Sequence, residues 1–171
     1  KNYSHGMFQR VYDYPYLSSS ANHIFDISYG YSSALSGASN VLNAKKLNMY
    51  NQMAQVLVGY DQTGSIRRFD ADGDFTTTTD SMNACVFLSY TRLLTKDEIK
   101  KQSYEFRLLS GSTEITIGDY GANTEYRVNS PAGEYGILYT SSVTPYGDGV
   151  GLIYYQAGVV ALTASAILFD S

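Results

Sequence analysis

Three aspartates at alternate positions, Asp70, Asp72 and Asp74, form the densest group of hard oxygen ligands in the sequence. Such spacing opens a calcium loop of the EF-hand type, which also needs Gly at its sixth position and Glu at its twelfth. Phe75 and Ser81 stand there instead, and the one nearby glycine is misplaced at Gly73. An EF-hand is therefore excluded. A looser calcium site at Asp70, Asp72 and Asp74 remains a candidate beside the favoured reading, a solvated turn.

Other chemistry is thinner still. The only imidazoles, His5 and His23, have no partner at metal-binding spacing, so zinc is not expected. Gly30-Tyr31-Ser32-Ser33-Ala34 carries part of a nucleophile-elbow pattern, with His23 and Asp26 upstream, but its last position is not Gly. That does not support a Ser-His-Asp hydrolase. Gly147, Gly149 and Gly151 alternate, yet a β pattern follows them, and a phosphate site would lack its helix N-terminus. Glu114, Glu125 and Glu134 fall in separate expected strands, and their spacing pairs no acid with a base. Cys85, the single cysteine, sits in the apolar run Ala84-Cys85-Val86-Phe87-Leu88 and reads as a buried, inert thiol. The expectation is a protein without catalytic residues or a cofactor, and with no metal beyond the weak calcium candidate.

Composition narrows the class further. Of 171 residues only 16% are charged, 44% are hydrophobic, and 17 are Tyr, with a net charge of −4. The apolar content is too high and the charge too small for a disordered chain. With no run of Lys or Arg longer than two, a nucleic-acid partner is not expected. A domain free in solution ordinarily carries more charge. Many Tyr on a neutral chain suit surfaces that face other protein chains, because Tyr covers contact area with few rotatable bonds.

The elements that must position these residues are mostly strands. Residues 1–39 are irregular and aromatic, with strands expected at 7–12 and 22–28. A helix spans 40–58, capped by Ser39 or Asn40 and ended by Gly59, with Leu42, Leu47, Tyr50, Met53, Ala54 and Leu57 on its apolar stripe. Residues 60–81 read as an exposed polar loop or an excursion with a short hairpin. Across 82–171 strands are expected at 84–92, 103–109, 113–117, 125–129, 134–142, 149–155 and 159–168, with turns at the intervening Gly, Ser and Pro clusters. Thr95-Lys96-Asp97-Glu98 has the capping-box pattern of a short helix. The sum is a single α+β, mostly β domain: an antiparallel sandwich or barrel-like sheet with one long helix packed on it.

Residues 150–169 carry no charge over a length that could span a membrane as a helix. Their β-branched and aromatic content, split by Gln156-Ala157-Gly158, reads instead as two buried strands and a turn, so no membrane is expected. Tyr154, Tyr155 and Val160 in this hairpin, with Tyr50 and Met53 on the helix, are the candidates for a subunit interface.

Three stretches carry a family likeness. Leu88-Ser89-Tyr90-Thr91-Arg92-Leu93-Leu94-Thr95-Lys96-Asp97-Glu98-Ile99-Lys100-Lys101 resembles a segment of virion structural proteins from marine T4-like tailed phages, cyanophages among them. Ser130-Pro131-Ala132-Gly133-Glu134-Tyr135-Gly136-Ile137-Leu138-Tyr139-Thr140 and Gly151-Leu152-Ile153-Tyr154-Tyr155-Gln156-Ala157-Gly158-Val159-Val160 resemble further segments of the same proteins. The resemblance covers roughly the C-terminal half and implies a non-enzymatic virion component whose partners are copies of itself and other virion proteins. Such proteins are often longer, and a first residue of Lys1 fits a portion of a longer chain. A second class remains open: a fibre or adhesin domain that recognises carbohydrate or a host surface through exposed Tyr.

Overall fold

Leu152-Ile153-Tyr154-Tyr155 offers no polar position, so both faces of that strand must be covered. The fold is organised around this demand. The computed structural model describes residues 8–13, 20–35, 41–76, 79–91 and 97–167. In it Gly151–Tyr154 (β9) and Val159–Thr163 (β10) form an antiparallel hairpin. No helix among the described residues is long and apolar enough to cross a membrane. On its other side β10 pairs with Ala84–Tyr90 (β5). His23–Tyr31 (β2) pairs with β5 and Phe8–Tyr12 (β1) pairs with β2, while Tyr135–Leu138 (β8) pairs with β9. The result is a six-stranded antiparallel sheet in the order β1-β2-β5-β10-β9-β8.

Because side chains alternate between faces, this sheet supports two cores. On one face Cys85, Phe87, Ile137, Leu152, Tyr154 and Ala161 pack with Tyr50, Ala54 and Leu57 of the helix Val41–Leu57 (α1). Phe69 of Phe69–Asp70 (β3) and Met82 of Ser81–Met82 (β4) complete that layer. Across the sheet Leu88, Leu138, Ile153, Tyr155, Val160 and Leu162 pack with Tyr104, Ile117 and Ala122. Ile117 belongs to the separate hairpin Glu105–Ser110 (β6) and Thr113–Gly118 (β7), and Ala122 opens the short helix Ala122–Glu125 (α2). The fold is thus α+β, mostly β and sandwich-like, and its sheet does not close into a barrel. Each large apolar side chain so buried contributes about 1.5–3 kcal/mol.

The helix lies on β2 at Gly30. A Cβ there would stand 2.7 Å from the Tyr50 amide nitrogen and 2.9 Å from the Lys46 carbonyl oxygen. Only glycine permits that approach. Because contact is made at residues 46–50, the first turn projects past it, and Leu42, expected on the buried stripe, is exposed together with Val41. The expected caps, Ser39 and Asn40, lie outside the described residues.

Several expected elements are corrected. The 60–81 stretch is not wholly exposed: Phe69 is inserted between Tyr50 and Phe87, with ring centroids at 5.5 and 5.4 Å, and Asp70 follows it into the core. The expected strand at 125–129 is absent; α2 occupies its start, and a single bridge joins Arg127 to Tyr135. Asp97 to Lys100 form no helix, since the Ile99 amide donates to the Tyr155 carbonyl at 2.9 Å and ties the segment to the sheet. Thr95 and Lys96 lie outside the described residues. After Thr163 the chain turns into a 3₁₀ segment, Ala164–Ala166, rather than continuing as strand.

Candidate functional site

The β3–β4 turn, α2 and the approaches to β8 and β9 line an open groove of about 800 Å3. Asp72 and Asp80 come from the turn, Glu125 from α2, and Asp148 from the Gly147-Asp148-Gly149 loop, facing one cation, Arg127. Tyr126 and Tyr139 add aromatic surface. Backbone pairing fixes Arg127: its amide donates to the Tyr135 carbonyl at 2.8 Å, and the Tyr135 amide donates back at 3.0 Å. Its guanidinium donates to the Asp72 carbonyl at 3.4 Å. Tyr139 donates its hydroxyl to Glu125 Oε2 at 2.8 Å and stacks on Tyr146 at 5.2 Å. Burial, reinforced by the Glu125 carboxylate, pushes the Tyr139 hydroxyl above its usual value. Acidic and fixed by backbone on three sides, the groove suits hydroxyl-rich or cationic groups that donate hydrogen bonds.

The three calcium candidates do not form one common site. Asp74 Oδ1 accepts from the Thr76 amide at 3.0 Å and from its hydroxyl at 2.6 Å, a local turn facing solvent. Asp72 Oδ1 accepts from the Asp74 amide at 2.8 Å. Asp70 is only 2% exposed, and among the described residues no donor bonds either of its oxygens. Among the described residues no group of three or more His, Cys, Asp or Glu is placed to hold a metal ion.

The remaining candidates are dispersed. His23 Nε2 lies 2.7 Å from Asp26 Oδ1 near the start of β2, whereas Ser32 lies just beyond its far end, about 30 Å away along an extended strand. Ser32 Oγ bonds instead to Asn83 Oδ1 at 3.0 Å. Glu114 is beside Arg107 at 3.8 Å, Glu134 is paired with Lys101, and only Glu125 reaches the groove. Strand β9, not a helix, follows Gly147 and Gly149.

The interface candidates are also corrected. Tyr50, Tyr154, Tyr155 and Val160 are at most 1% exposed, each enclosed by this chain's own two cores. Their burial needs no second chain, and none presents a surface to one. Met53 is half-buried at the edge of the helix layer. What the sequence reading missed is the groove itself. Its polar lining comes from four separated segments, and no spacing rule joins Asp72, Glu125, Arg127 and Asp148. The one local signal was the Gly-flanked Asp148, which reads as a turn. No family model, curated protein or solved structure matches the chain.

Proposed function

We propose that the chain is a non-enzymatic structural component of a tailed-phage particle, located in the virion and packed against copies of itself and other virion proteins. The observation that carries this reading is the outward side of α1. Val41, Leu42 and Val56 are 70%, 50% and 64% exposed there, and the whole 17-residue helix holds no acidic residue. At 100° per residue the three fall within one third of the helix circumference, with Lys45 the only charge among them. Such a face resembles the depleted-charge centre of a protein interface more than a solvated helix surface. The resemblance in the C-terminal half supports the same reading. Sedimentation velocity tests it: the wild-type chain is expected to form oligomers that Val56→Asp reduces to a folded monomer. A wild-type chain that stays monomeric and whose Val56→Asp form still enters particles would overturn it.

The groove favours a second reading, a fibre or adhesin domain that recognises carbohydrate. Exposed Tyr126 beside Asp72, Asp148 and Arg127 is a suitable arrangement for a sugar face and its hydroxyls. Binding on a glycan array that Tyr126→Ala and Asp148→Ala both abolish would favour it over assembly.

A further inference from the structure

We propose that Asp70 and Asp72 share one proton in the folded protein, and that this proton holds the β3–β4 turn, and with it one wall of the acidic groove, in place.

The geometry begins with Asp70, at the end of β3, where pairing of Asp70 with Ser81 and of the Ala71 amide with the Asp80 carbonyl draws the backbone into the fold. Its side chain is almost wholly buried, and among the described residues neither oxygen receives a hydrogen bond. The side chain that interacts with it most strongly is the carboxyl of Asp72, two residues on. Two ionised carboxylates have only lone pairs to offer each other, so a bond between them requires a proton on one. Asp70 is the one that carries it. Asp72 already accepts from the Asp74 amide and lies beside Arg127, both of which favour its charged form. The turn is held tightly as well: Gly73 has φ +73°, and a Cβ there would come within 3.2 Å of Arg127 Nε.

Every charged group facing Asp70 fits this assignment or leaves it unopposed. Desolvation, the contact with Asp72 and the more distant Asp80 carboxylate push Asp70 up to about 7, and the nearby Asp74 amide offsets only part of that. From β8 the Tyr135 hydroxyl, which donates to Asn129 Oδ1 at 2.6 Å, is held above its usual value chiefly by burial, and the Asp70 carboxyl adds to that shift. Arg67, Arg68 and Asp61 line the second cavity, of about 640 Å3, on which Asp70 borders. None of these cations bonds an Asp70 oxygen.

The consequence has a definite sign. A carboxyl whose folded value lies above its unfolded value stabilises the fold below about pH 4, and that stability is gone once pH has risen through about 7. Ionisation then sets two carboxylates against each other in one turn. Ala71, Asp72, Asp80 and Ser81 of the groove wall are the residues that loosen.

The test uses the full chain. Carboxyl carbon NMR of the wild type is expected to show Asp70 titrating near neutrality, and the thermal midpoint to fall between about pH 5 and about pH 8. Asp70→Asn imitates the protonated form, since its amide donates to Asp72, and is expected to remove most of that fall. Asp72→Asn should move the Asp70 titration downward. A titration of Asp70 in the ordinary carboxylate range, or parallel pH profiles for wild type and Asp70→Asn, would overturn the proposal. So would calcium raising the wild-type midpoint at about pH 8 but not that of Asp70→Asn, which would put a cation where the proton is placed. If Asp70→Asn fails to fold, the wild-type carbon titration decides alone.

Discussion

Tyr155 donates its hydroxyl to Asp119 Oδ2 at 2.9 Å, from the end of β9 to the residue that follows β7. The same carboxylate accepts from the Gln102 amide at 2.7 Å and, through Oδ1, from the Tyr104 amide at 2.9 Å. One buried side chain therefore closes the base of the β6–β7 hairpin and fastens that hairpin to the main sheet. Burial pushes Asp119 above the ordinary carboxylate value, and its hydrogen bonds pull back part of the shift.

Tyr155→Phe keeps the ring and removes the fastening. The Asp119 carboxylate loses one donor in a buried place, which costs about 1–3 kcal/mol. For a chain of this size each kcal/mol lowers the melting midpoint by about 2–4 °C. Calorimetry of the variant against wild type checks it, and an unchanged midpoint would show that the bond contributes nothing.

Tyr50 makes the corresponding link on the opposite face. Its hydroxyl donates to the Met82 carbonyl at 2.7 Å and accepts from the Phe69 amide at 3.0 Å, joining α1 to both β3 and β4. Tyr50→Phe orphans two buried backbone groups, at about 1–3 kcal/mol each. Amide exchange is expected to rise first at Phe69, before any change in β9 or β10.

Gly30→Ala tests the seat of the helix. The added methyl meets backbone atoms of Lys46 and Tyr50, which unlike a flexible side chain cannot turn aside. Overpacking of this kind costs about 1–3 kcal/mol. A crystal structure of the variant is expected to show α1 displaced outward from β2. Wild-type stability with α1 unmoved would show that the contact has room for a methyl group.

Cys85 is fully buried with no second cysteine to pair with, and burial pushes its thiol far above the usual range. A thiol reagent is expected to leave the folded protein unmodified even at mildly alkaline pH and to label one thiol on unfolding. Labelling at the native rate of a free thiol would show that β5 opens.

The main elements could be read from local pattern. The charge-free run from 150 onward fixes a hairpin with both faces covered, and the helical period over 40–58 fixes α1. Local pattern failed wherever a long-range partner decided the outcome. Phe69 sits in a stretch of Asp, Thr and Arg that reads as solvent-exposed, and two aromatic rings from α1 and β5 claim it. Tyr126 and Val128 look like strand, but pairing with β8 stops at the single bridge between Arg127 and Tyr135, and α2 takes the start of the segment. Tyr154 and Tyr155 read as interface candidates because their charge-free strand needs cover on both faces, and the β6–β7 hairpin and α1 of the same chain supply that cover. The groove was invisible for the same reason: its residues meet only after β8 and the β3–β4 turn are in place.

The strand order has a consequence for how the chain comes together. β1, β2 and β5 derive from the first ninety residues and β8, β9 and β10 from the last forty, and β5 beside β10 is the seam between the two halves. Until Val159–Thr163 docks, the N-terminal half presents β5 as a bare edge with Phe87 and Leu88 ready on its two faces. Any equivalent hairpin could then complete it, including one from another molecule. Two chains that exchange their C-terminal hairpins would satisfy every pairing of the monomer with no new contact, so a domain-swapped dimer is available to this topology at high concentration during refolding.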